Sequence, residues 1–514
     1  MKRRSLLTLL ALVVACGDDP APAADPPHPP PNATRLLLTI QQAPRTVVSG
    51  GRTDVVVAVA RDGNDAYDGD VDVTLAPADG FEAAPATLGR EATTLDFALS
   101  VSAQRQHGAA ELRIVAASRD RKATGDVTLP LLVRGTPGSV DTSFGNGGIF
   151  VLGEASAEVT GMVTEPGGKI ILGGRIGADA AVVRLSAEGQ LDTSYGSGGR
   201  ARIAIPGLAS THDVVVGPAG SIVLGGNDAA SAVLVRFTSA GAADASFGAG
   251  GVRVLAEQAA SRALATAETN LYVGGRATAA ADADGLQVLR LQPSGVREPN
   301  WGAAGEALLP ALPCSLAAAA CPVSALAPKA DGRLTVCASR GDGVNVRELF
   351  ASGAADRNYD LTTAADLLSR CTALANSTPF DVFVAGARTP DVFAIVHLAV
   401  PPAGGPLVVE SRLFPPFALP AETGIRGATR MVIDDGSLVA SADATPGGGP
   451  SRLALVRVRA NPAGLDARFG DGKGYVTTSV GPTPAFSRAL LIQSDGRAIV
   501  AGTNGDMIAV RYWL

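Results

Sequence analysis

Seven polar residues recur at one place in a repeating pattern: Thr160, His212, Arg262, Ser324, Arg370, Arg430 and Arg488 each stand just before or at the start of a short apolar run. Four are arginines. A guanidinium is a planar fork of donors that stays charged, so four of them converging from separate strands have the chemistry to grip an anionic ligand, such as a carboxylate-bearing sugar or an acidic protein loop. The alternative is that each pairs with local backbone or a nearby acid such as Asp213. Other chemistries lack their residues. The chain of 514 residues holds 4 His and shows no GxSxG elbow, no HExxH and no Walker loop. His212 beside Asp213 is the one His near the set, and Glu158 and Asp213 are the carboxylates that a polysaccharide-cleaving enzyme would use there. No cofactor is expected, and no metal, because the Asp-bearing turns lack the ligand density of a calcium loop.

These positions count only if the chain sets the strands side by side, and the sequence repeats in a way that does so. Asp141-Thr-Ser-Phe144-Gly145-Asn-Gly147-Gly148 returns as Asp192-Thr-Ser-Tyr195-Gly196-Ser-Gly198-Gly199, as Asp244-Ala-Ser-Phe247-Gly248-Ala-Gly250-Gly251 and as Asp466-Ala-Arg-Phe469-Gly470-Asp-Gly472. Worn copies are Glu298-Pro-Asn-Trp301-Gly302 and Asp356-Arg-Asn-Tyr359. The aromatic anchors 144, 195, 247, 301 and 359 lie 51, 52, 54 and 58 residues apart, and the remaining interval of 110 has Phe414 at its middle. Seven units result. Each reads as four strands; in the first these are Gly148–Leu152, Val159–Thr164, Lys169–Gly174 and Ala181–Leu185, with Pro166-Gly167-Gly168 as a hairpin turn. Four-stranded units of about 50 residues repeated in series point to a β-propeller.

The DTSFGxGG signature, the PGGKIILGG hairpin and the AVVRL strand together resemble the delta-60 repeat of exported bacterial proteins. The resemblance spans residues 138–514 and implies a propeller-like fold with no assigned activity. Two features predict how the ring closes and how its corners hold. The last strand, Ile508–Leu514, has no signature after it, while the first signature precedes any complete unit; both fit if Gly148–Leu152 supplies the outer strand of the last unit. Arg184, Arg236, Arg290, Arg347, His397, Arg457 and Arg511 stand one per unit, and an acid follows most of them: Asp192, Asp244, Glu298, Asp356 and Asp466. Closure would give Arg511 the acid Asp141. A bidentate Arg–carboxylate pair in each corner is the expectation.

Ahead of the repeats, residues 34–135 show short alternating strands (Leu36–Ile40, Asp54–Ala60, Val71–Leu75, Thr93–Val101, Glu111–Ala116), the pattern of an immunoglobulin-like β-sandwich. The expected fold is thus all-β, a sandwich followed by a seven-bladed propeller closed by an N-terminal outer strand. Residues 1–15 read as an export signal: Lys2-Arg3-Arg4, then an apolar stretch too short to span a bilayer. Val13-Val14-Ala15-Cys16 resembles a bacterial lipoprotein lipobox, which implies a lipid on Cys16. Residues 16–33, GDDPAPAADPPHPPPNA after the Cys, read as a Pro-rich tether. Export would leave Cys314, Cys321, Cys337 and Cys371 in an oxidising compartment; of three possible pairings, Cys314–Cys321 and Cys337–Cys371 are favoured. A net charge of −6 opposes a broad grip on nucleic acid. Together these predict a lipid-anchored protein of the cell envelope, at the outer membrane, using its propeller for recognition or scaffolding of a protein or polysaccharide. The rival is a propeller glycosidase or lyase.

Overall fold

The computed structural model describes residues 35–43, 46–62, 69–102, 105, 108–278, 285–309, 323–339, 343–361, 368–378, 381–388, 391–399, 408–409, 424–459 and 464–514. The export signal, Cys16, the tether, Cys314, Cys321 and Phe414 lie outside the described residues. Apart from single 3-10 turns, Pro218–Gly220 and Pro446–Gly448 among them, the described residues form strands and their connections. They fall into two compact units, one of residues up to Arg105 with Ala110–Leu131, the other essentially Leu132–Leu514.

In the first unit the strands run Phe81–Ala83, Thr94–Val101, Arg52–Asp62, Arg35–Gln42, then Thr124–Arg134, Gly108–Ser118, Val71–Leu75 and Ala86–Leu88, with Thr46–Val48 also paired to Thr124–Arg134. The two halves of this path meet at one parallel pair, Arg35 with Thr124. Alternation sets the inward face: Val55, Val57 and Val59 are buried on one strand, Leu112, Ile114 and Ala116 on another. The strand Thr124–Arg134 has no counterpart among the strands expected from sequence. Gly125 and Pro130 interrupt its pattern, and Gly125 is there because a Cβ would sit 1.8 Å from the Leu36 carbonyl oxygen.

Among its described residues the second unit holds five four-stranded antiparallel sheets and one nine-stranded sheet; they are numbered as meanders 1 to 7, the nine-stranded sheet supplying meanders 5 and 6. Meander 1 is Ala157–Thr164, Ile170–Ile176, Asp179–Leu185 and Arg200–Ile203. The first strands of meanders 2 to 7 are Ser210–Val216, Gln258–Ala267, Val323–Pro328, Arg370–Thr378, Ile425–Asp434 and Phe486–Ile492. Meanders 5 and 6 touch through a single strand pair, Val392 with Arg426. Among the described residues no sheet closes on itself into a barrel. Each first strand instead neighbours the next, and the first strand of meander 7 neighbours that of meander 1.

Period-two alternation divides each central strand between two cores. Ile170 and Leu172 pack with Ala489, Ile499 and Met507 of meander 7, while Ile171 between them packs with Val214 and Leu224 of meander 2. Equivalent cores lie between meanders 2 and 3, 3 and 4, 4 and 5, 5 and 6, and 6 and 7. Central strands are therefore covered on both faces, which is why they read as apolar runs such as AVVRL and not as simple alternation. The disulfide Cys337–Cys371 joins the second strand of meander 4 to the first strand of meander 5, with Cα atoms 6.5 Å apart.

The signature makes the corner between meanders. Asp192 Oδ1 accepts from the Ser194 amide at 3.1 Å, and Asp192 Oδ2 accepts from Arg184 Nε at 2.9 Å. The guanidinium is not bidentate on the carboxylate, as the sequence suggested. Its remaining donors go to Ser194 Oγ at 3.3 Å and to the Ser239 carbonyl of meander 2 at 3.0 Å, and it lies 4.4 Å from the Tyr195 ring centroid. One arginine thus satisfies its own corner and the next sheet. Arg236 repeats this with Asp244 (2.7 Å), Ser246 (2.8 Å), the Pro293 carbonyl and Phe247. Arg511 repeats it with Asp141 (2.8 Å), Ser143 (3.0 Å), the Ala187 carbonyl (2.6 Å) and Phe144. The last set spans the chain: Ile149–Val151 pairs antiparallel with Met507–Trp513, placing Phe150 opposite Ala509.

Meanders 3 and 4 depart from the expected pairs, meander 5 has the His for which no acid was expected, and meander 6 keeps its pair. Arg290 lies against Tyr272 and Glu298 accepts from Gln292, while Arg347 donates to Asn345 at 2.9 Å and Asp356 takes Arg333 at 2.6 Å. His397 stacks on Phe383, and Arg457 stays within 3.4 Å of Asp466.

Glycines in the signature have unequal reasons. Gly196 and Gly198 both have positive φ, but a Cβ on Gly196 would lie 2.1 Å from the Arg200 carbonyl oxygen, whereas one on Gly198 meets nothing within 4 Å. Left-handed backbone alone costs an alanine roughly 1–2 kcal/mol, so Gly198→Ala should lower the unfolding free energy by about that much. Gly196→Ala should cost at least about 2 kcal/mol more. Denaturant unfolding of the two variants measures the difference.

Candidate functional site

Every first strand carries a β-bulge, and the bulges build the site. The pairing register skips one residue at Thr160, His212, Arg262, Ser324, Thr372, Thr429 and Arg488. An extra residue in one strand bends it and re-aims its side chain. All seven line one cavity of about 900 Å3. Five of them are residues that the sequence singled out. In meanders 5 and 6 the bulged residue is Thr372 or Thr429, not Arg370 or Arg430, although both arginines also line the cavity.

The bulge frees backbone groups from the ladder, and the neighbouring sheet takes them up. The amides of Ser261, Cys371 and Ser487, each just before a bulge, donate to Asn227 Oδ1 (2.8 Å), Ser339 Oγ (3.1 Å) and Asp443 Oδ1 (2.6 Å) at the ends of preceding second strands. Short bulged side chains bond onward to the next first strand: Thr160 to Thr211 at 3.3 Å, His212 to Ser261 at 2.8 Å, Thr372 to the Ala428 carbonyl at 2.6 Å and Thr429 to Ser487 at 3.0 Å. A belt of hydroxyls and one imidazole therefore girdles the cavity.

The arginines leave their strands at three positions along the register. Arg370 and Arg426 lie before the bulges, with the loop residues Gly449, Pro450, Ser451 and Pro484 and the strand-opening Phe486. Arg262 and Arg488 are in the belt. Arg430 lies one residue beyond it and crosses the ring, its Nη2 within 3.4 Å of the Thr160 carbonyl, 3.5 Å of the His212 carbonyl and 3.8 Å of Asp213. Arg370 donates to Asp391 at 3.0 Å, and Arg488 donates to the Ser487 carbonyl at 2.8 Å with Asp443 at 3.9 Å. Among the described residues, Arg262 and Arg426 have neither a hydrogen-bond nor an ion-pair partner. Arg426 was missed from sequence because nothing there tells that its loop-proximal position faces the same space. Of the two carboxylates suspected of catalysis, Glu158 is held by Arg175 through paired bonds of 3.0 and 3.1 Å and is not in the cavity wall. Asp213 accepts from the amides of Val214 and Leu264.

A protein-family model described as a domain of unknown function, beta-propeller (DUF5122), matches residues 166–195. That segment runs from the first hairpin of meander 1 into its signature, and the fold of the second unit is a propeller. No curated protein matches. Similar solved structures include Drosophila plexin A in complex with semaphorin 1b, at 9% identity over 73% of this chain and 88% of that one, with a TM-score of 0.38. Another is a point mutant of the NanB sialidase from Streptococcus pneumoniae, at 8% over 87% and 95%, TM-score 0.33. A third is a leech intramolecular trans-sialidase, at 11% over 94% and 92%, TM-score 0.34.

Burial and cations set the protonation of the site. Burial, with Arg262 and Arg430 adding to it, pushes the His212 pKa down to about 3, so the imidazole is neutral at neutral pH. Burial also raises Asp213 and Asp443, against the pull of Arg430 on the first and of the Ser487 amide on the second. A histidine depressed on folding binds fewer protons folded than unfolded below its ordinary value near 6.5, so its contribution falls as pH drops from about 6.5 toward 3. The raised aspartates act with the opposite sign. Relative to His212→Gln, the wild type should therefore lose more stability between pH 6.5 and 4, and its imidazole should show no NMR titration between pH 5 and 8. A His212 midpoint near 6.5 would contradict this.

Proposed function

We propose that the second unit is a seven-bladed β-propeller whose cavity binds an anionic ligand without catalysis. The observation that carries the reading is that five arginines, Arg262, Arg370, Arg426, Arg430 and Arg488, drawn from four meanders, line one cavity, two of them making no hydrogen bond or close ion pair among the described residues. A guanidinium with uncommitted donors can take a carboxylate, sulfate or phosphate without first breaking a bond within the protein. The seven bulged first strands and the cyclic cores between meanders support the blade number. The first unit, with its two strand arms meeting at a single pair, is read as an immunoglobulin-like module. The lipobox-like Val13–Cys16, followed by the Pro-rich stretch, supports a lipid-anchored protein of the cell envelope. Anchoring is tested by fractionation: Cys16→Ala should move the protein from membranes to the soluble fraction, and unchanged partitioning would contradict it.

Isothermal calorimetry with citrate, sulfate and phosphate tests the cavity. At least one should bind, and Arg262→Ala/Arg426→Ala should weaken it about tenfold or more while the unfolding midpoint holds, both side chains being exposed. Absence of binding, or equal affinity in the double variant, would end the reading.

A further inference from the structure

The cavity's layering points beyond a small anion, and the inference rests on the anion-binding reading above. From the structure we infer that the ligand is an acidic oligosaccharide that enters by one end.

One side chain bars part of the floor. Arg430 crosses from the sixth first strand to carbonyls on the first and second, with Asp213 beside it. Arg426, in the same strand, lies four residues nearer the mouth, at most about 13 Å of extended chain. A ligand that enters from the mouth meets Arg430 at that depth, and the crossing guanidinium opposes its passing further.

The cations are staggered along the depth. Arg426 is at the mouth and Arg262 is three positions deeper in the register, in the belt. A compact anion meets one of them. A chain bearing a negative group on successive units meets both.

The remaining surface suits sugar rings. The belt hydroxyls of Thr160, Thr372 and Thr429 spend their donor on neighbouring strands and keep oxygen lone pairs that accept from sugar hydroxyls. Phe486 is 38% exposed at the mouth, with the Arg488 guanidinium 5.5 Å from its ring centroid. Flanked by Pro450 and Pro484, it presents an apolar face to the C–H side of a pyranose. A volume of about 900 Å3 is at the upper end of small-ligand pockets, large enough for several such rings.

Calorimetry with trimers of galacturonate, of mannuronate and of a glucuronate-containing chain tests this against their monomers, their carboxyl-reduced forms and citrate. At least one trimer should bind tenfold or more tighter than its monomer and citrate. Carboxyl reduction should remove tenfold or more of that affinity. Phe486→Ala should weaken the trimer about fivefold and leave citrate unchanged. A bulky tag on one end of the trimer should abolish binding, while the same tag on the other end is tolerated. If citrate binds as tightly as every trimer, or if both tagged forms bind alike, the oligosaccharide inference falls and anion binding stands. If neither citrate nor any trimer binds, the anion-binding reading falls with it.

Discussion

A guanidinium buried between two sheets must have its donors met, and this requirement organises the repeat. Arg511 and Asp141 are both fully buried, and each would be costly alone, since an unpaired buried charge costs about 3–5 kcal/mol. The signature answers that demand in one turn. Its Asp pairs with Nε, its Ser takes one terminal nitrogen, its aromatic ring covers the flat face, and the other terminal nitrogen reaches a carbonyl of the next sheet. The same atoms that fix a corner therefore tie adjacent sheets. In meanders 1, 2 and 7 the fork points to the following sheet, and in the last of these the final arginine meets the first aspartate.

From that tie the site follows. Sheets fixed at their outer corners bring seven first strands together at the centre, where their bulges leave amides unpaired and turn side chains outward from the ladder. Neighbouring sheets supply the missing acceptors through Asn227, Ser339 and Asp443. Short side chains at bulges knit the belt. Where arginine takes the bulged place, at 262 and 488, it makes no bond to the next first strand among the described residues. The cavity's charge is thus a consequence of putting long cations where the frame needs none.

Much of this was readable, and what was not has a physical cause. The Arg–Asp spacing and the glycines of the signature encode one compact turn, so local sequence carries nearly all of its information. Glu298, with one more methylene than Asp, accepts from Gln292, and Asp356 takes Arg333, so spacing alone misassigned the partners in meanders 3 and 4. A bulge exists only relative to its partner strand, so Thr372 and Thr429 could not be told from their charged neighbours Arg370 and Arg430. Arg426 was hidden for the same reason. In the first unit, Gly125 and Pro130 masked a strand that tertiary packing holds in place.

Residues 137–152 join the first meander to the seventh by pairing against the last strand and its signature. A protease site inserted between Ala155 and Ser156, in an exposed loop, tests it by size-exclusion chromatography after cleavage. The two fragments should elute together in native buffer and separate only in denaturant. Separation in native buffer, with the remainder still folded to the same midpoint, would contradict the closure.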